Sequence, residues 1–193
     1  LALKTGDPDG RFANRSFMIN PKGDIVARYD KIHMFDVDVS PTETYRESAG
    51  YRAGDRAVIA ETPFGKVGLS ICYDLRFAYL YRALAQAGAD ILVVPSAFSS
   101  VTGAAHWQTL LQARAIETGC FVLAAAQTGQ HSVVAGKSRQ TYGHSMVISP
   151  WGEVLADAGV ETGVEIIDID LKDVSHARRR IAALIHDRPF EGP

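Results

Sequence analysis

The stretch 67–94 constrains the fold of this 193-residue chain most, because its pattern changes from strand to helix and back to strand. Residues 67–71 are short and mostly apolar, as a buried strand is. Residues 77–87 place apolar side chains at helical spacing before Gly88, a suitable C-cap. Residues 91–94 form an apolar run rich in β-branched side chains. A strand–helix–strand unit joins parallel strands, so we predict an α/β protein whose sheet is at least partly parallel.

Cys72 stands where the first of these strands ends and the helix is about to begin. A thiol at that position meets the free N–H groups and the positive end of the helix dipole, which favour the thiolate. A thiolate there can attack a carbonyl carbon, and the N–H of Tyr73 is placed to bind the oxyanion that forms. The alternative is a small buried hydrophobic residue, since free cysteine is among the most buried residue types. Position alone leaves both interpretations open.

The remaining patterns predict how the rest of the chain is divided. Strands are predicted at residues 15–19, 25–29, 58–60, 121–126, 144–149, 154–157 and 164–169, and helices at residues 105–118 and 172–185. Residues 36–54 are predicted to be irregular, residues 96–103 to be a small-residue loop near the substrate, and residues 127–140 to be a polar loop over the pocket mouth. Long loops in a compact domain are usually functional.

Composition excludes several classes of function. The chain has 20 Lys and Arg against 22 Asp and Glu, a net charge of −2, which does not indicate nucleic acid or an anionic membrane. No apolar run reaches the roughly 18 to 20 residues of a membrane helix. The two cysteines make no disulfide framework, the six histidines lack zinc-site spacing, and no Gly-rich phosphate loop occurs. We predict a cytoplasmic protein with no cofactor, no metal, no nucleic acid partner and no membrane partner.

A set of short motifs appears in order along the chain. These are Tyr29-Asp30-Lys31-Ile32-His33, Arg46-Glu47-Ser48, Ile71-Cys72-Tyr73-Asp74-Leu75-Arg76-Phe77, Pro95-Ser96-Ala97-Phe98, Ala113-Arg114-Ala115-Ile116-Glu117 and Tyr142-Gly143-His144-Ser145. With them, the chain from about residue 14 to residue 189 resembles the nitrilase, or carbon–nitrogen hydrolase, superfamily, and within it the Nit-type amidases. The resemblance implies a four-layer αββα sandwich, with two sheets face to face and helices outside. It also implies pairing into homodimers or higher homo-oligomers.

The resemblance implies which residues carry the chemistry. Cys72 is the nucleophile, Lys31 is the cation that stabilises the thiolate and the oxyanion, and Glu47 hydrogen-bonds near the lysine. Taken alone, Lys31 is more often a solvated surface charge. For Glu47 the alternative is a loop carboxylate in water. The family's general base, another glutamate, lies in strand–helix units that precede the hairpin at residues 15–29. We therefore expect the chain, which begins at Leu1 and not at methionine, to be N-terminally incomplete.

Four residues are predicted to contact the substrate. The Tyr73 N–H faces the oxyanion, and Phe98 and Thr102 line the pocket from the small-residue loop. Arg76, on the first helical turn after the nucleophile, is predicted to bind a substrate carboxylate, because a guanidinium does so in bidentate fashion. The alternative for Arg76 is an internal ion pair with Asp74 or another carboxylate.

The motifs together predict hydrolysis of the C–N bond of a small linear amide that carries a carboxylate. A thioester forms on Cys72, ammonia leaves, and water releases the acid. The motifs from residue 95 to residue 131 favour the deaminated-glutathione amidase branch over the omega-amidase branch, which acts on amides of the 2-oxoglutaramate type. A non-catalytic domain working in binding or assembly is the alternative, because the general base has no counterpart here. We expect residues 1–193 to form one carbon–nitrogen hydrolase domain, the C-terminal two thirds of the family's fold.

Overall fold

A computed structural model describes residues 2–4, 6, 9–41, 43–134 and 137–192 of the chain. The described strands are β1 (Ala2–Lys4), β2 (Phe12–Ile19), β3 (Ile25–Asp30), β4 (Asp36–Ser40), β5 (Glu43–Arg46), β6 (Tyr51–Arg52), β7 (Val58–Thr62), β8 (Gly65–Leu69), β9 (Ile91–Val93), β10 (Phe121–Ala124), β11 (Thr128–Val134), β12 (Lys137–Tyr142), β13 (Met146–Ile148) and β14 (Val154–Asp157). The described helices are α1 (Ala78–Gln86), α2 (Ser100–Thr118) and α3 (Lys172–Arg180), with short 3₁₀ helices at Glu47–Ala49, Cys72–Arg76 and Ala183–Ile185. None of these described helices is both long and apolar enough to span a membrane.

Six of the described strands form the large sheet, in the order β14-β13-β10-β9-β8-β7. Its central strands β8, β9 and β10 run parallel, with Gly68 opposite Leu92 and Leu92 opposite Val122. Helix α1 connects β8 to β9, so the predicted strand–helix–strand unit is confirmed. Helix α2 connects β9 to β10 in the same way. The carboxyl ends of the three parallel strands therefore meet at one edge of the large sheet.

Side chains along the parallel strands point alternately to the two faces of the large sheet, and this divides the apolar core into two layers. One set of positions packs against α1 and α2, and this layer includes Leu84, Leu92, Val94, Trp107, Leu111, Val122 and Ala124. The intervening positions pack on the opposite face, where the layer includes Tyr29, Val67, Leu69, Ile91 and Phe121. Because side chains alternate between faces with a period of two, both faces of these strands are buried.

The small sheet consists, among the described residues, of β1, β2, β3 and β6, with β6 parallel to β2 and the other pairs antiparallel. Tyr29 of β3 is fully buried and belongs to the core layer on the far side of the large sheet, so the two sheets lie face to face. Helix α3 lies at the amino ends of β9 and β10, where Arg178 donates to the carbonyls of Ala89 (2.7 Å) and Thr118 (3.0 Å). The described elements thus supply helix, sheet and sheet layers of the expected sandwich.

Two segments that were predicted to be irregular or loop-like are β-hairpins, so those two predictions are wrong. Within 36–54, β4 pairs with β5 and Val37 lies opposite Tyr45. In the segment expected to be a polar loop over the pocket, β11 pairs with β12 and His131 lies opposite Arg139. Residues that are depleted in strands occur in both segments, Asp, Pro and Gly in 36–54 and Gly and Lys in 127–140, which is why local propensity did not identify these hairpins. Their pairing depends on cross-strand backbone hydrogen bonds.

Near the C-terminus the predicted strand at 164–169 is wrong, because the structure assigns no strand to those residues. Val164 and Ile166 are each 87% exposed, so the apolar alternation that suggested a strand faces solvent. The following helix was expected to reach residue 185 but ends at Arg180, before a separate 3₁₀ turn.

Helix α2 begins at Ser100, five residues earlier than predicted, so Thr102 lies in its first turn and not in a loop. The small residues of this segment suggested a loop, but one of them, Gly103, is needed for close packing between the helix and β12. A Cβ on Gly103 would lie 2.3 Å from the ring of Tyr142, so glycine lets the helix approach β12.

Candidate active site

Cys72 follows β8 at the carboxyl edge of the large sheet and begins the 3₁₀ helix Cys72–Arg76. Its φ is +50°, in the left-handed region that a non-glycine residue rarely adopts. The Cys72 N–H donates to the carbonyl of Pro95 at 3.1 Å, which helps to hold this conformation. Strained backbone of this kind persists only where the surrounding structure supports it, and it is concentrated at functional sites. The predicted position of Cys72, between a strand and a helix, is confirmed.

Asp74, two residues after Cys72, is fully buried and holds the turn in place. Its carboxylate accepts hydrogen bonds from the Tyr29 hydroxyl (2.6 Å), the Ile71 N–H (2.9 Å), and the N–H (3.0 Å) and ring Nδ1 (2.7 Å) of His33. These bonds connect the Cys72 turn to the end of β3. Burial, together with the negative charge of Asp74, raises the pKa of Tyr29, so the hydroxyl stays protonated and keeps donating.

Lys31 and Glu47 form a buried ion pair, with Lys31 Nζ 2.5 Å from Glu47 Oε2. Glu47 Oε2 also accepts from the Phe35 N–H at 2.7 Å, and Glu47 Oε1 accepts from Asn14 Nδ2 at 3.2 Å. The Lys31 N–H donates to the Asn14 carbonyl at 2.9 Å, which fixes the start of the lysine side chain. A buried ammonium is costly unless it is paired, so Glu47 is what stabilises a charged lysine here. Sequence reasoning did not single out Asn14, and its amide inside a strand is only a weak signal.

A cavity of about 740 Å³ opens at the carboxyl ends of the parallel strands, and Cys72, Lys31 and Glu47 all line it. Its strand-end walls include Ile71, Pro95, Ser96, Ala125 and Ala126. Ligands bind at the carboxyl ends of parallel strands in many α/β proteins, and this volume lies within the range of ligand sites. No group of three or more His, Cys, Asp or Glu suited to a metal ion occurs in the described part of the chain. The structure thus brings the three predicted catalytic residues into one cavity.

The wall of this cavity, as formed by the described residues, includes none of the four residues predicted to contact the substrate. Tyr73 and Arg76 belong to the 3₁₀ helix that begins at the cysteine. Phe98 is buried and packs on Trp107, with ring centroids 4.9 Å apart. The Thr102 hydroxyl is buried with no hydrogen-bond partner among the described residues.

Arg76 is half-buried between aromatic rings. Its Cζ lies 5.4 Å from the ring centroid of Phe98 and 6.0 Å from that of Tyr73, and its Nη1 donates to His106 Nδ1 at 3.3 Å. Burial lowers the pKa of the Arg76 guanidinium. Among the described residues no carboxylate forms an ion pair with Arg76, and Asp74 is occupied by other donors, so the internal ion pair is not found.

Two arginines that the sequence analysis did not single out line the cavity. Arg46 pairs with Asp38 across the β4–β5 hairpin, through contacts of 2.8 and 3.1 Å. Arg139 donates to the Ala97 carbonyl at 2.6 Å, and its Cζ lies 5.7 Å from the ring centroid of Tyr45. Arg139 was missed because it falls in the segment predicted to be a loop, whereas pairing of β11 with β12 brings it to the cavity.

The α/β sandwich, the strand-end cysteine in a left-handed conformation and the buried Lys31–Glu47 pair point to one class of proteins. The chain belongs to the carbon–nitrogen hydrolase family, whose model matches residues 4–179. Its fold is the α/β sandwich of the nitrilase superfamily.

Individual relatives show which members of this family the chain is similar to. The chain is 48% identical to a deaminated glutathione amidase from Synechocystis sp., over 92% of this chain and 64% of that protein. The crystal structure of the C. elegans NitFhit protein is 42% identical with a TM-score of 0.82, over 94% of this chain and 44% of that one. An amidase variant from Nesterenkonia sp. AN1, with the acetamide moiety of fluoroacetamide added covalently at its active-site cysteine, is 26% identical with a TM-score of 0.71, over 95% of this chain and 64% of that one. This chain therefore spans less than two thirds of each of these proteins.

Proposed function

We propose that the protein hydrolyses the C–N bond of a small linear amide that carries a carboxylate, with Cys72 as the nucleophile. The observation that carries this proposal is the placement of Cys72, at a left-handed backbone position, in the cavity that also holds the buried Lys31–Glu47 pair. The similarity to a deaminated glutathione amidase supports amide hydrolysis. The covalent adduct at the active-site cysteine of the Nesterenkonia amidase supports a cysteine nucleophile.

The proposed reaction passes through a thioester. The Cys72 thiolate attacks the amide carbonyl carbon, and the carbonyl π electrons move to oxygen and form a tetrahedral oxyanion. The Lys31 ammonium and the Tyr73 N–H stabilise this oxyanion, since the first N–H groups of a helix have no acceptor within it. The C–N bond then breaks, and the nitrogen takes the electron pair and a proton. Water attacks the thioester carbonyl, which releases the acid and returns the Cys72 thiol.

In this proposal Glu47 positions Lys31 and is not the primary general base. Glu47 Oε2 is occupied by Lys31 and by the Phe35 N–H, and Oε1 by the Asn14 amide, so neither oxygen is poised to take a proton from water. The proton transfers need a further base, for which the family resemblance provides a glutamate ahead of the hairpin at residues 15–29. We keep as a proposal that Arg76 binds a carboxylate of the substrate and that Phe98 and Thr102 border its pocket, from positions outside the described cavity wall.

As the substrate we propose deaminated glutathione and not an amide of the 2-oxoglutaramate type. A cavity of about 740 Å³ matches ligands well beyond the size of a simple primary amide. In glutathione the side-chain amide joins a glutamyl unit to cysteinylglycine. Cleavage of that bond releases the amine of a dipeptide, so the ammonia expected from the motifs applies only to primary amides.

The test is turnover of deaminated glutathione and of 2-oxoglutaramate by the full-length protein, with cysteinylglycine and ammonia measured separately. The Cys72→Ala variant is expected to abolish both activities, whereas Cys120→Ala is the matched control because Cys120 is buried outside the cavity. Faster turnover of 2-oxoglutaramate would favour the omega-amidase alternative. Absence of both turnover and an acyl adduct on Cys72 by mass spectrometry would contradict the amidase proposal and favour a role in binding or assembly.

We further propose that residues 1–193 form one carbon–nitrogen hydrolase domain that works in the cytoplasm as a homodimer or higher homo-oligomer, without nucleic acid or membrane partners. The free thiols of Cys72 and Cys120 suit a reducing compartment. Exposed apolar side chains near the C-terminus, Ile185 (81%) and Phe190 (89%), support association between copies. Analytical ultracentrifugation at several concentrations tests this, and a monomer mass throughout would contradict it.

A further inference from the structure

We propose that Arg139 binds a carboxylate on the amine half of the substrate, the part that leaves, and thereby selects amides whose leaving amine is itself an acid. The inference rests on the proposed amide hydrolysis and adds to it a residue that determines specificity. It assigns Arg139 a role different from that of Arg76, which lies outside the described cavity wall.

The charges around the cavity favour Arg139 for this role. Among the described residues, four charged side chains line it, and three of them are already compensated: Lys31 pairs with Glu47, and Arg46 pairs with Asp38. No carboxylate lies within ion-pair distance of Arg139 among the residues that the structure describes. The cavity therefore presents one uncompensated positive charge, which attracts an anionic group of the substrate.

The Arg139 guanidinium is oriented and still has donors to offer. Its bond to the Ala97 carbonyl uses one of the five N–H donors of an arginine, and its Cζ lies over the ring of Tyr45. The Glu43 carboxylate accepts from the Tyr45 hydroxyl at 2.7 Å and from the Ser99 hydroxyl at 3.1 Å. A planar guanidinium held in this way can bind a carboxylate through two parallel hydrogen bonds.

The strand that carries Arg139 is fixed to the rest of the molecule within three residues. Thr141 Oγ1 lies 2.7 Å from His131 Nε2 across the hairpin. The Tyr142 N–H donates to the Phe98 carbonyl at 3.0 Å, and its ring packs directly on Gly103 of α2. A charged group on a rigid element loses little entropy when it binds a ligand, which suits a residue that discriminates between substrates.

The position of Arg139 relative to Cys72 decides which half of the substrate it contacts. Cys72 is half-buried at the strand ends, whereas Arg139 is exposed on the hairpin that borders the cavity. The acyl half stays bonded to Cys72 as the thioester, and the amine half must depart toward solvent. The amine half therefore faces the exposed side of the cavity, where Arg139 lies.

The test compares deaminated glutathione with an analogue whose glycine carboxylate is converted to a carboxamide. The wild-type chain is expected to prefer the acid by about 10-fold or more in kcat/KM, because charge-assisted hydrogen bonds are roughly twice as strong as neutral ones. In Arg139→Met the ratio of the two kcat/KM values falls to about 1. Arg139→Lys keeps part of the preference, since it keeps the charge without the bidentate geometry. The matched control is Arg56→Met, whose side chain is 86% exposed and which keeps the wild-type ratio.

An unchanged ratio in Arg139→Met would overturn the inference, and so would an equal loss for both substrates, which would mark a structural role. A second measurement does not need turnover. Calorimetric binding of the same two compounds to Cys72→Ala, with and without Arg139→Met, is expected to show the same loss of preference. Binding that depends on Arg139 without any turnover by the wild type would end the amidase proposal but keep Arg139 as a carboxylate-binding residue, whereas binding with no preference for the acid would overturn the inference.

Discussion

Lys31 and Glu47 are 16 residues apart in the sequence, yet they form a 2.5 Å ion pair in which the lysine is only 3% exposed. The same glutamate accepts from the Phe35 N–H, so one carboxylate holds both the ammonium and the backbone that follows it. Removing one partner of a buried pair leaves the other charge desolvated and unpaired, which is strongly destabilising.

Glu47→Gln is therefore expected to lower the free energy of unfolding by about 3 kcal/mol, because it leaves the Lys31 charge buried without its partner. It is also expected to slow acylation of Cys72, since the ammonium is no longer held toward the cavity. Urea denaturation measures the first effect and stopped-flow acylation the second. The control is Glu61→Gln, which removes a surface contact to Lys66 at 3.5 Å and should leave stability within error of the wild type. Equal effects of the two substitutions would contradict the ion-pair argument.

The backbone conformation of Cys72 gives a prediction about stability that does not depend on the proposed enzymatic reaction. At φ +50° a glycine is relaxed and an alanine is strained, so Cys72→Gly is expected to be more stable than Cys72→Ala by about 1 kcal/mol. The backbone of Cys120 does not have a positive φ. At that position the order should therefore reverse, and alanine should be the more stable replacement. Thermal and urea unfolding of the four variants measure both differences. The same order at both positions would show that Cys72 is not strained.

The two cysteines should differ sharply in alkylation. Cys72 lines the cavity, whereas Cys120 is fully buried, and burial raises the pKa of the Cys120 thiol. Iodoacetamide at neutral pH is therefore expected to label Cys72 in the native protein and to leave Cys120 unlabelled until urea unfolds the chain. Peptide mass spectrometry over time gives both rates. Comparable labelling of the two thiols under native conditions would be inconsistent with this structure.

Asp30 provides a prediction about pH. Hydrogen bonding to Arg15, with the charges of Arg15 and Arg52, holds the pKa of Asp30 below its ordinary value. A carboxyl whose pKa is lower in the folded than in the unfolded state stabilises the fold above the unfolded pKa of about 3.9. That stability is lost as the pH falls through the folded pKa.

Asp30→Asn is thus expected to reduce stability at pH 7 and to lose less of it on acidification than the wild type does. Urea unfolding over a series of pH values tests the difference. Arg15→Met should reproduce much of the effect, and the double variant should fall short of the sum, because the two residues share one interaction. Parallel pH curves for wild type and Asp30→Asn would refute the assignment.

The local pattern of apolar residues was sufficient to predict those parts of the fold that depend on residues close together in the sequence. Between residues 67 and 94 the spacing of apolar residues changes, and this change predicted the β8–α1–β9 unit. A strand buried on both faces is apolar at nearly every position, whereas a helix buried on one face is apolar at every third or fourth position. The same change placed Cys72 at the end of a strand. The ordered motifs indicated the family, which the match over residues 4–179 confirms.

The sequence by itself determined the α/β class, the parallel crossover and the location of the thiol, since all three follow from periodicity along a short stretch. Only the tertiary structure decided that Lys31 meets Glu47, that the alternating residues 164–169 pair with no described strand, and that Arg139 faces the cavity. Those outcomes depend on which distant segments come together. Which segments come together is set by packing and backbone pairing over the whole molecule, and it cannot be predicted from a local sequence pattern.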